Sequence, residues 1–161
     1  MNRKIGAVLA APCLLFLACG TAIAQSGGIT THEVEAPFDQ VRQDIYDAIV
    51  NRGYVIDYNA RIGEMLERTG QDVGSDRSIF SGAETFQFCS AVLSRKTMEA
   101  DPLNIAYCPY TVFVFEAAER EGVVTVGFRH LGDGGEGDGA EALDEVNQIL
   151  DEIVREAAGQ P

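Results

Sequence analysis

Positive charge is what this chain has least of. Its 161 residues carry 12 lysines and arginines against 25 aspartates and glutamates, a net charge of −13 with histidine neutral. A surface of that sign repels phosphate backbones and anionic headgroups, which weighs against nucleic acid and membrane-surface partners. Histidine is scarcer still. His32 and His130 are the only two; neither stands at the spacing of a zinc motif with the cysteines, and both read as structural or exposed residues beside strands. The sequence also lacks a glycine-rich phosphate loop, a G-x-S-x-G elbow, an H-E-x-x-H pair and a Ser/His/Asp set at recognisable spacing. No catalytic residue, metal site or cofactor is therefore marked, and a non-enzymatic role is the expectation.

The N-terminus has the signs of a targeting segment. Asn2-Arg3-Lys4 is a basic start, Ile5 to Ala18 is an apolar run too short for a comfortable membrane span, and Ala22-Ile23-Ala24 before Gln25 has the small-x-small pattern of a cleavage site. Residues 1–24 read as a signal peptide, which implies a periplasmic or secreted protein with no membrane attachment after cleavage. The competing reading is a lipoprotein acylated at Cys19, against which Phe16 and Leu17 fit poorly. The 137 residues from 25 to 161 are the size of a single domain with one core. Loss of Arg3 and Lys4 with the leader leaves ten basic residues against 25 acidic ones, a net charge of −15. Solubility outside the cytoplasm is the plain account of that acidity.

Cysteine is sparse in the same way, because Cys13 and Cys19 leave with the leader and only Cys89 and Cys108 remain. Both fall in the most apolar stretch of the chain, Glu84 to Glu116. Three readings stand: a structural disulfide, two inert buried thiols, or a reactive thiol pair that could also ligate a soft metal or haem. A bridge would close a loop of about 20 residues, worth roughly 3 kcal/mol in the chain-entropy model. It requires the strands around the cysteines to run antiparallel or offset; parallel neighbours would hold the sulfurs about 15 to 20 Å apart.

The rest of the chain alternates strands and helices. Ile29 to Glu35 reads as a first strand, at an edge. A helix starts at Ala36-Pro37-Phe38-Asp39 and buries Phe38, Val41, Ile45, Ala48 and Ile49 before Gly53 ends it. Tyr54 to Tyr58 is a second strand with Tyr54, Ile56 and Tyr58 on one face. Arg61 to Thr69 is a short amphipathic helix with Gly70 beyond its end. Gln71 to Ala83, rich in Gly, Ser and Asp, reads as a mobile loop or lid. Thr85 to Cys89 is a strand with Phe86 and Phe88 facing the core. Ser90 caps a helix with Val92, Leu93 and Thr97 or Met98 at helical spacing, which stops at Asp101-Pro102. Tyr107 to Glu116 is apolar at both parities, as for a strand covered on both sides, and a turn leads to a hairpin partner at Val123 to Arg129. Leu131 to Gly139 fails the calcium-loop template and reads as a solvated linker. Glu141 to Ala157 is the clearest helix, with Leu143, Val146, Leu150, Ile153 and Ala157 on one face. The expected fold is α+β: a two-layer sandwich, a largely antiparallel sheet with helices packed on one face.

The segments EAPFDQVRQDIYDAIVNRGYVI, ARIGEMLERTG, ETFQFCSAVLSRKTMEADPLNIAYCPYTVFVFE and VVTVGFRHL, in that order, resemble the bacterial family called domain of unknown function 302. Its most specific features are Cys89-Ser90 at the strand-to-helix junction, Glu99-Ala100-Asp101-Pro102 at the helix end and Cys108-Pro109 before a strand. The usual Cys-Asn-Pro of the family is Cys89-Ser90-Ala91 here, which suggests a secreted subgroup. The resemblance implies a compact α+β fold and no established activity.

Two functions from different classes follow. In the first, the domain binds a small apolar or amphipathic ligand, or a protein partner, through a cleft lined by Tyr54, Tyr58, Phe80, Tyr107 and Tyr110 and bounded by the Gln71 to Ala83 loop; a homodimer would use the same aromatics. In the second, Cys89 and Cys108 serve thiol-dependent redox, metal or haem handling.

Overall fold

The computed structural model describes residues 28–132 and 137–160, and through these described residues five strands alternate with four α-helices. The order is β1 (Ile29–Glu35), α1 (Phe38–Asn51), β2 (Val55–Ala60), α2 (Ile62–Thr69), β3 (Phe80–Cys89), α3 (Ala91–Ala100), β4 (Tyr110–Ala117), β5 (Val123–Arg129) and α4 (Asp138–Ala157). Short 3-10 turns occupy Gln71–Val73 and Pro102–Tyr107. The proposed leader, its Cys19 alternative and residues 133–136 of the acidic linker lie outside the described residues.

The strands form one sheet in the order β1-β5-β4-β3-β2, with every neighbouring pair antiparallel. This is the expected α+β architecture, with β1 at an edge. Alternation decides the faces. Phe86, Phe88, Val112, Val114, Val124, Val126 and Phe128 point to one side and are essentially inaccessible, together with Val41, Ile45 and Ile49 of α1 and Leu150 and Ile153 of α4. Each of these side chains contributes on the order of 2 kcal/mol by leaving water, so the helical layer is held chiefly by the apolar stripes of α1 and α4.

Several elements differ from expectation, each for a local reason. Tyr58 does not share a face with Ile56. The register shifts between them, so Ile56 pairs with Phe88 while Tyr58 pairs with Gln87, and Asp57 is the extra residue of a β-bulge. Tyr58 turns outward, 60% exposed, and Asn59 turns inward. Gly70 stands just beyond α2 as expected but is right-handed, so a 3-10 turn follows and Gly74 at φ 76° makes the reversal. β3 begins at Phe80, so the segment expected as a loop to Ala83 is shorter by four residues. A second register shift between Phe80 and Gly82 hides this strand's alternation in the sequence. Tyr107 belongs to a 3-10 turn, with β4 starting at Tyr110. Val92 is 77% exposed, whereas Leu93 and Thr97 of α3 are buried as expected.

The two-sided apolarity of β4 also has a different cause. Val112 and Val114 face the helices, but among the described residues no helix is found packed on the opposite side of β4. There Phe113 and Phe115 are half-buried because they stack on each other, at 6.1 Å between centroids, and Phe80 packs edge-on against Phe115 at 5.4 Å.

Candidate functional site

α2 packs beside β3 where β2 no longer accompanies it, and the start of α1 closes the other side. Between them lies a cleft of about 390 Å³ lined by Pro37, Phe38, Arg61, Gly63, Gly82 and Glu84 among others. Two glycines create it. A Cβ on Gly82 would lie 2.7 Å from the Phe38 ring, and one on Gly63 would lie 3.0 Å from the Ala83 nitrogen. Side chains at either place would push the walls apart or fill the space between them.

A carboxylate lies at the inner end of the cleft. Glu84 follows the parity of Phe86 and Phe88, so it points to the helical side of the sheet, where its side chain is 13% exposed. Asn59, turned inward by the bulge at Asp57, donates from Nδ2 to Glu84 Oε2 at 2.9 Å and to the Thr85 carbonyl at 3.2 Å. Arg42 Nε stands 4.0 Å from Glu84 Oε1. Toward solvent, Arg42 also approaches Asp39 at 3.7 Å and Arg61 pairs with Glu64 at 3.4 Å. Apolar surface from Pro37, Phe38 and Ala83 thus borders a fixed acidic group with a charged rim. Such a volume and such a mixture suit a small molecule with an apolar body and a hydrogen-bond-donating or cationic end.

Sequence reasoning placed a binding site beside the segment that ends at Ala83 but did not find Phe38, Gly63, Gly82 or Glu84. Gly63 inside a helical pattern and Gly82 inside a strand pattern were the available signals, because isolated glycines there mark close backbone approach.

The five aromatics expected to line one cleft are instead divided. Tyr54 stacks on Phe88 at 5.4 Å, and Phe88 meets Tyr110 edge-on at 6.1 Å. Tyr107 packs against the same core. Phe80 belongs to the open-face row with Phe115, and Tyr58 is turned outward beside Gln87.

Cys89 and Cys108 are paired at disulfide distance, with their Cα atoms 6.4 Å apart. The antiparallel ladder explains the meeting: β3 and β4 run together as far as Phe88↔Tyr110, so Cys89, the last residue of β3, faces the segment leading into β4. Ser90 caps α3, its hydroxyl accepting from the Leu93 N–H at 3.3 Å. Ser94 Oγ lies 3.7 Å from Cys108 Sγ and 3.3 Å from the Tyr110 hydroxyl.

The histidines have other partners. His32 bonds Gln160 Oε1 at 3.0 Å and lies 3.4 Å from Asp151, while His130 bonds Thr30 and stacks on Phe128. Among the described residues no group of three or more His, Cys, Asp and Glu side chains could hold a metal ion. None of the described helices is long and apolar enough to cross a membrane.

The sequence profile of the family described as domain of unknown function DUF302 matches residues 30–157. Among solved structures, the crystal structure of the uncharacterized conserved protein DUF302 from Bacillus stearothermophilus is similar, with a TM-score of 0.67 at 13% identity. The likeness covers 82% of this chain and 99% of that one, and it is a likeness of fold. No curated protein matches the sequence.

Proposed function

The chain belongs to the family described as domain of unknown function DUF302, and within it we propose that this protein is a non-enzymatic binding module that takes a small amphipathic ligand in the cleft between the start of α1, α2 and β3. The observation that carries this reading is the cleft itself: about 390 Å³ of space with Phe38 along one wall and the Glu84 carboxylate at its inner end. Asn59 fixes one oxygen of Glu84, leaving the other toward Arg42 and the ligand. Pre-positioning of that kind favours recognition because little side-chain freedom remains to be lost on binding.

Action outside the cytoplasm is part of the proposal. The basic start, the apolar run and the Ala22-Ile23-Ala24 pattern support it, and a paired Cys89 and Cys108 suits an oxidising compartment. The test is amide chemical-shift mapping with a panel of small amphipathic amines and their neutral isosteres. Shifts should centre on Phe38, Gly63, Gly82 and Glu84, and Glu84→Gln should weaken binding of the amines about tenfold. Shifts that centre on other surfaces would remove the cleft from consideration.

A sheet-to-sheet homodimer is the second reading, favoured by the row Phe80, Phe115 and Phe113 on the face that none of the described helices covers. Molar mass by light scattering at two concentrations separates it: a concentration-dependent doubling, abolished by Phe113→Ser, supports the dimer.

A further inference from the structure

We propose that the Cys89–Cys108 bridge is an exchange site: it accepts two electrons from an external dithiol, with Cys89 the sulfur attacked and Cys108 the leaving group. The asymmetry between the two sulfurs carries the assignment. Cys108 has a hydroxyl at its sulfur, Ser94 Oγ at 3.7 Å, and that hydroxyl has a second behind it, Tyr110 Oη at 3.3 Å. Tyr110 is 2% exposed and wedged against Phe88, so the pair of hydroxyls is held in place by the core. When the bridge opens, the Ser94 O–H donates to the negative sulfur of Cys108 while accepting from the Tyr110 O–H. Charge-assisted hydrogen bonds of this kind stabilise a leaving thiolate, and a stabilised thiolate leaves faster. Among the described residues no hydroxyl stands at Cys89 Sγ as Ser94 does at Cys108; the Ser90 hydroxyl serves the helix cap, accepting from the Leu93 N–H.

Access permits the same direction. Both cysteines are half-buried, and Cys89 pairs across the sheet with Val55, which is 74% exposed. Val92, in the first turn of α3, is 77% exposed. The exposed Val55 beside Cys89 leaves a side from which a dithiol can approach. Nor does opening the bridge undo the fold around it, since the β3–β4 ladder reaches Phe88↔Tyr110 and the α3 cap does not involve either sulfur.

The chemistry balances without a further reactant. A thiolate of the dithiol bonds to Cys89 Sγ as the Cys89–Cys108 bond breaks, and the electron pair leaves on Cys108 Sγ. The second thiol of the dithiol, as thiolate, then attacks its own partner sulfur and displaces Cys89. The dithiol ends as a disulfide, and the two protons it releases are taken up by Cys89 and Cys108.

The test uses the oxidised protein, dithiothreitol as the dithiol, quenching by alkylation, and intact mass as the readout. Reduction should proceed without denaturant and leave the far-ultraviolet circular dichroism unchanged. Ser94→Ala should slow it about tenfold, the factor one charge-assisted hydrogen bond supplies, and Ser94→Thr should restore it. The melting temperature of oxidised Ser94→Ala should fall, because the Tyr110 hydroxyl loses its partner, and Ser94→Thr should restore it together with the rate. With glutathione as a monothiol and an acid quench, peptide mapping should find the mixed disulfide on Cys89. Reduction only under unfolding conditions, an unchanged rate in Ser94→Ala, or glutathione on Cys108 would each overturn the proposal.

Discussion

The ring of Phe38 lies across Gly82, so close that a Cβ on the glycine would fall 2.7 Å from two of its carbons. The contact joins the first residue of α1 to the bulged half of β3 and forms one wall of the proposed cleft. Gly82→Ala should therefore destabilise the protein by about 1–2 kcal/mol, the usual cost of overfilling a packed contact, and should weaken ligand binding as well. Phe38→Leu gives the methyl group room. In a double-mutant cycle by urea unfolding, the pair should cost less than the sum of the singles. Strict additivity would mean that the ring and the glycine do not meet.

Gly127 presents a harder constraint. A Cβ there would collide with the backbone oxygen of Thr30 in β1 and lie 2.6 Å from Phe113 Cζ. Backbone in the adjacent strand cannot swing aside as a side-chain tip can, so Gly127→Ala should cost about 3 kcal/mol, the upper end of the overpacking range. Adding Phe113→Ala should recover only part of it, because the Thr30 clash remains. Full recovery would place the whole cost on the ring.

These two glycines also show what was legible in the sequence. α1, β5 and α4 were readable because one periodicity governs each: Val41, Ile45, Ala48 and Ile49, or Leu143, Val146, Leu150 and Ile153, stand at helical spacing and are buried. The first half of β3 was not, since Ser81 and Gly82 interrupt its alternation at a register shift and carry no apolar signal. Tyr58 could not be placed for a similar reason. The bulge at Asp57 reverses every face after it, and nothing local distinguishes Asp57 from an ordinary strand residue. The cleft depends on both bulges and on two close approaches to glycine, so only Gly63 and Gly82 hinted at it. The meeting of Cys89 with Cys108 was conditional on antiparallel strands, a property of the whole sheet.

Asn147 was likewise invisible to a pattern that expects an apolar residue on the inner stripe of α4. It is 8% exposed, its Oδ1 accepts from the Leu131 N–H at 2.8 Å, and its Nδ2 donates to the Leu131 carbonyl at 3.0 Å. One amide thus satisfies both backbone groups of a buried residue after β5. Asn147→Leu should lower stability by about 2–4 kcal/mol, since two buried polar groups lose their partners at roughly 1–3 kcal/mol each and relax only in part. Asn147→Asp should also destabilise, because a carboxylate cannot donate to the carbonyl. Thermal unfolding of both variants checks this, and a neutral Leu substitution would show that water replaces the amide.

Glu33 and Arg120 tie edge strand β1 to the β4–β5 turn through a two-point pair, with Nη1 to Oε1 at 2.5 Å and Nη2 to Oε2 at 3.0 Å. The hydrogen bond from Arg120 holds the Glu33 carboxyl below its ordinary value of 4.5; burial opposes it, and the charge of Arg120 adds to the lowering. The unfolded chain therefore binds a proton at Glu33 more readily than the folded one does. Its contribution to stability is complete above the ordinary value and is lost as the pH falls through the lowered one. Both side chains are about half exposed, so the effect is small and screened by salt. Glu33→Gln should leave the shape of the melting-temperature profile unchanged above pH 4.5 and flatten it below. At high salt the two profiles should converge. Parallel profiles at low salt throughout the acid range would show that the pair exerts no net pull on the carboxyl, leaving the edge strand to its ladder with β5.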